Sequence, residues 1–226
     1  FSFCFAAHGF CDFLPLFKTF DKNILINYIL SIFGFCYLHL LSPSISTIIF
    51  IVISSLHFNE DFFPYDTIKF PSVGLYTLSA PIIVDYQIYL CYLKYIGVEY
   101  PEFILFIMYL GGILGLVNSH RKNESIYHIL FYTLLTIIYG IDALYFYMIY
   151  YHLVISLCLL IEVYDIKRIL VLQCFGVIIV TLLYNVLYDV IIQLFLLYKD
   201  YLIGTLFGLL NSHSLTTLFW REKEII

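Results

Sequence analysis

The chain has 226 residues, 62% hydrophobic and only 12% charged, with a mean hydropathy of +0.95 and a formal net charge of −5. Soluble domains run near about 45–50% apolar and about 25% charged, so one water-soluble core of this length cannot hide the apolar surface, and an all-α polytopic transmembrane bundle is expected. The 11 basic residues are scattered and leave no nucleic-acid footprint.

Backbone groups in hydrocarbon must be satisfied within the segment, which calls for helices of about 20 residues. The ten-residue alternation of a barrel strand is not seen. Breaks at Pro, Gly, Asn and charged clusters place spans near 2–17, 24–41, 44–58, 72–93, 102–119, 126–140, 143–163, 170–197 and 201–219. Seven to nine crossings in a single transmembrane domain over 1–226 are therefore expected, the eighth segment being long enough to bend. The segment 2–17 contains His8 and Asp12 and lacks a basic region followed by a cleavage site, so it reads as a span rather than a signal peptide. Because the chain begins at Phe1, a trimmed N-terminus is expected. The six cysteines fall singly in apolar stretches without a CxxC pair, which points to buried thiols rather than disulfides or a zinc site.

Basic residues set the expected orientation. Lys18, Lys22, Lys69, Arg121, Lys122, Lys167, Arg168, Arg221 and Lys223 follow odd-numbered spans, against Lys94 and Lys199 after even-numbered ones. Nine against two predicts odd loops and a C-terminus in the cytoplasm.

Ionisable residues inside spans are costly and mark function by default. His8 lies in the first span, His57 ends the third, His152 lies within the seventh and His213 within the ninth. All four are on odd-numbered spans, which run in the same direction. At 1.5 Å per residue, His8, His213 and His152 lie roughly 15, 12 and 22 Å from the nearest cytoplasmic basic residue. Neutral imidazole suits Fe, Zn and Cu, and ligating imidazoles usually donate their second N–H to a carboxylate or carbonyl. Asp12 is one turn from His8, while Glu60 and Asp61 are three and four residues from His57. A four-histidine metal site supported by Asp12, Glu60 and Asp61 is expected. His39, His120 and His128 read as bystanders near span ends.

At these residues the sequence resembles the Brp/Blh family of membrane β-carotene 15,15′-dioxygenases. His8-Gly9 followed by Asp12 is similar to the family's opening motif. The run from Ser54 to Asp61 is similar to its second motif, with Asn59 where the family has glycine. Pro81, the approach Leu144-Tyr145-Phe146 to His152, and Leu210-Asn211-Ser212-His213 followed by Trp220 resemble later family elements in the same order. The resemblance extends over almost the whole chain. It implies Fe(II) held by histidines and oxidative cleavage of a carotenoid by molecular oxygen, yielding retinal inside the membrane. Lipid would deliver the polyene, and Asp12 and Glu60 would orient imidazoles.

The family also implies a second histidine four residues after the late one, preceded by arginine, where this chain has Ser156 and Ile155. Three outcomes stay open: His213 fills the position, three histidines and water suffice, or catalysis has been lost. A catalytically silent carotenoid- or retinal-binding protein and a transporter using Asp12, Asp85 and Asp142 are the alternative functions. An opsin would need a lysine inside the last span, which has none.

Overall fold

The computed structural model describes Cys11 and residues 22–62, 72–119 and 126–224. His8 and Asp12 of the expected metal site, and most of the expected first span, lie outside the described residues. Among the described residues the regular structure is helical and no strand occurs, as the all-α reading expects. The elements are α1 (Lys22–Leu41), α2 (Pro43–Glu60), α3 (Ser72–Tyr95), α4 (Pro101–Ser119), α5 (Ile126–Tyr139), α6 (Asp142–Phe146), a π-helical segment (Tyr147–His152), α7 (Leu153–Val163) and α8 (Ile166–Glu224). They group into two compact units, Leu38–Tyr147 and the remainder of the chain.

In the Leu38–Tyr147 unit, α3 is the hub, packing most extensively on α4, then on α2, and more lightly on α5 and α6. Gly112 makes the α3–α4 approach possible, because a Cβ there would run into the Ser79 hydroxyl and approach the Tyr76 backbone. Hydroxyls inside these helices bond back to their own turns: Ser55 to the Ile51 carbonyl, Thr77 to Val73 and Thr136 to Tyr132. Pro81 lies within α3, and four residues later Asp85 leaves helical geometry (φ −119°, ψ 44°), so the helix is kinked there. The Asp85 carboxylate accepts the Ile141 N–H. It thereby caps the turn at Gly140 (φ +58°) that opens α6.

In the other unit, α7 ends at Tyr164, whose extended backbone (φ −123°, ψ 156°) breaks the helix. Asp165 accepts the Lys167 N–H through its side chain at 3.0 Å and so starts α8. Tyr164, Ile169 and Cys11 form a buried apolar cluster at this corner. Gln173 donates to the Cys11 sulfur at 3.2 Å. α8 runs 59 residues with a non-helical break at Tyr198 (φ −130°, ψ 34°), inside the gap expected between spans eight and nine. The five described cysteines are free thiols, as expected, but only Cys11 is buried, and Cys91, Cys158 and Cys174 lie at the surface.

Three helical stretches are long and apolar enough to cross a membrane: Lys22–Leu41, Asp142–Glu162 and Ile166–Val190, with Pro101–Val117 and Tyr127–Tyr139 as shorter apolar helices. This is compatible with a membrane protein. Three clear candidates stand out among the described residues, where the sequence reading expects seven to nine crossings over the whole chain. The reason lies in α2 and α3. Their buried faces carry Ser54, Ser55, His57, Asn59, Glu60, Thr77 and Ser79, which dilute their apolar character. The three clear candidates instead present bare hydrocarbon outward: Leu30 is 64% and Phe33 71% exposed, a surface that water solvates poorly.

Candidate metal centre

α2 begins with Ser42 as N-cap, its hydroxyl accepting the Ile45 N–H at 3.4 Å, and with Pro43 in the first turn, where no backbone donor is needed. In its first half Ile45, Ile48 and Ile49 are exposed while Ser46 and Thr47 are buried. From Ser54 onward the composition turns polar, and Ser54, Ser55, His57, Phe58, Asn59 and Glu60 are all buried. His57 Nδ1 meets Glu60 Oε2 at 3.3 Å, with both side chains buried. With Glu60 ionised, its carboxylate only accepts, and the His57 proton would then sit on Nδ1, leaving the Nε2 lone pair for a metal. Glu60 thus meets the His57 ring across one helical turn.

Asp61 has a partner far along the chain. Its Oδ2 accepts the Tyr147 hydroxyl at 3.0 Å, and Tyr147 is only 3% exposed. Phe62 stacks on the Tyr147 ring (centroids 6.2 Å apart, planes 5° apart), and Tyr132 meets it edge-on at 5.0 Å. Tyr132 in turn donates to the Thr77 carbonyl of α3. Tyr147 was not among the residues expected from the sequence. One Tyr among 22 offers no local signal, and its partner lies 86 residues away.

Tyr147 also opens the π-helical segment, which closes at His152. Single π turns inside α-helices occur frequently at functional sites, because the widened turn re-aims the side chains beyond it. His152 is 1% exposed, and Ser156, one α-helical turn further along, is also 1% exposed. In α8 the run Asn211-Ser212-His213-Ser214 is buried, with His213 the most accessible of the four at 8%. The Ser212 and Ser214 hydroxyls bond back to Gly208 and Leu210.

His57, His152 and His213 form a group that could hold a metal ion, their ligand nitrogens all lying within 4.8 Å of one another. The donor set is three imidazoles, which suits a borderline transition metal such as Fe, Zn or Cu. Three of the four histidines expected from the sequence are thus brought together, and the fourth, His8, falls outside the described residues.

Two further histidines, His39 and His128, are described. His39 is fully buried and bonds Ser46 Oγ at 2.8 Å, while Ser46 donates to the Pro43 carbonyl at 2.9 Å, so the ring belongs to the α1–α2 turn. His128 packs edge-on against Phe62. An apolar groove of about 250 Å³ between α2, α3 and α4 is lined by Ile51, Ser55, Leu75, Ile104 and Met108. Ser55 and His57 project about 200° apart around α2, so this groove opens on the face away from the imidazole.

Comparison with protein-family models, curated proteins and solved structures finds no match to this chain.

Proposed function

We propose that the chain is a multi-pass membrane oxygenase that uses Fe(II) to cleave a carotenoid such as β-carotene oxidatively to retinal, with seven to nine crossings and a cytoplasmic C-terminus. The observation that carries this reading is the gathering of His57, His152 and His213 within 4.8 Å in so apolar a chain. The resemblance to the Brp/Blh family at His8-Gly9, Asp12 and the Ser54–Asp61 run supports the same reading.

His57, His152 and His213 would hold the iron through neutral imidazole nitrogens. Ferrous iron at such a site supplies the redox chemistry that makes molecular oxygen reactive toward a polyene. The protein's part is positional. Glu60 keeps the His57 proton on Nδ1, so that Nε2 stays available. The apolar helix surfaces admit a substrate that already resides in lipid and exclude water from the site.

The test is expression in cells that make β-carotene. The protein should bleach the orange colour and accumulate retinal, and His57→Ala should abolish both. Metal analysis of the detergent-purified protein should find iron in the wild type and at least tenfold less in His57→Ala. Unchanged carotene and no retinal, with the protein folded and iron-loaded, would reject cleavage. That outcome would favour the silent pigment-binding reading, which the serine at position 156 motivates.

A further inference from the structure

Six helical hydroxyls among the described residues share one pattern. Ser55, Thr77, Thr133, Thr136, Ser212 and Ser214 each donate to the carbonyl four residues earlier, at 2.6–3.1 Å. A serine inside an α-helix has that carbonyl within reach by default. The Ser156 hydroxyl is buried and makes no hydrogen bond. The carbonyl it forgoes belongs to His152. Thr47, in the first turns of α2, shares this condition and has no metal-site histidine one turn away.

Leaving a hydroxyl buried and unbonded costs about 1–3 kcal/mol. Such a group in a native protein calls for an explanation, and an ordered water is one. Ser156 lies four residues beyond His152 with α-helical backbone between them, so both side chains leave the same face of the helix. A serine side chain is too short to reach a cation ligated by an imidazole one turn away. One water molecule spans that difference and needs polar neighbours such as these to stay ordered.

We propose that the Ser156 hydroxyl holds a water molecule in an exchangeable position beside the imidazole of His152. This rests on reading His57, His152 and His213 as a metal centre. The water donates one O–H to Ser156 Oγ and turns its oxygen lone pair toward the cation. A small anion or diatomic ligand enters the site by displacing this water, and the serine hydroxyl then donates to the newcomer. Ser156 is therefore a positioning residue that selects small ligands with an acceptor atom.

Cobalt(II) and azide test this without reference to turnover. The purified full-length protein in detergent should bind Co(II) with a visible absorption spectrum that azide perturbs. Ser156→Ala should keep Co(II) affinity within about threefold yet bind azide about threefold to tenfold more weakly, the worth of one hydrogen bond. Ser156→Thr, which retains the hydroxyl, should restore azide binding. Ser156→His should place a fourth imidazole in the position, raise Co(II) affinity at least tenfold and abolish the azide response. Ser156→Ala is the smallest change and carries the test alone if the histidine variant does not fold. Azide affinity unchanged in Ser156→Ala overturns the inference and leaves the three-histidine centre standing. A wild-type protein that takes up no Co(II) overturns both.

Discussion

His57 and Glu60 are one helical turn apart, and that spacing alone predicts their hydrogen bond. Removing the negative charge while keeping the shape is therefore a sharp test of the pair. Glu60→Gln should weaken metal affinity about tenfold or more, the range seen when groups that orient ligating imidazoles are lost, and competition with a coloured chelator measures it. Unchanged affinity would show that the carboxylate serves packing alone. Asp61 was equally legible as a polar residue near His57, but not its role, because its partner Tyr147 comes from a distant turn of chain. Tyr147→Phe removes a buried hydroxyl donor to a carboxylate and should lower unfolding stability by about 1–3 kcal/mol, read as a fall in the thermal midpoint. Ser156 was legible only as a departure from a pattern. Its unbonded hydroxyl appears only once the surrounding helices are built.

Among the elements, breaks were read more surely than bends. The end of the eighth expected span fell at Tyr198-Lys199-Asp200 because two charges interrupt an apolar run, and the α8 kink is centred on Tyr198. The α3 kink was not anticipated, since Pro81 is tolerated within helices and Asp85 reads as one more polar residue. What Asp85 does there depends on Gly140. The glycine adopts φ +58°, and a Cβ on it would strike the Asp85 carboxylate. Gly140→Ala combines a left-handed backbone penalty with that clash and should destabilise by at least about 1–2 kcal/mol. Thermal unfolding in detergent measures it, and a loss below about 0.5 kcal/mol would mean that the turn relaxes freely. The π-helical segment left no mark in composition, because tyrosine, methionine and isoleucine suit an α-helix equally well.

For the whole molecule, composition settled the all-α class, while hydropathy did not settle the number of crossings. Apolar content reports what faces lipid, and a helix screened by its neighbours is released from that demand. α3 is such a helix: Thr77 and Ser79 are buried among α2, α4 and α5 and satisfied by their own backbone. Orientation is open to a separate test. Nine of the 11 basic residues follow the odd-numbered expected spans, so the proposed topology makes a C-terminal reporter active in the cytoplasm. Activity confined to the outer face would overturn the proposed topology.

The segment Tyr147–His152 has a further consequence, for chain evolution. A π turn holds one residue more than the α-helical path through the same height, as a single-codon insertion would leave it. Deleting one residue there and closing the turn to α geometry would leave everything beyond it near its present bearing relative to Tyr147, keeping His152 and Ser156 in place together. Alignments of this chain with distant homologues should therefore admit a one-residue gap between Tyr147 and His152. Ungapped pairing through this helix would set Ser156 against the wrong column.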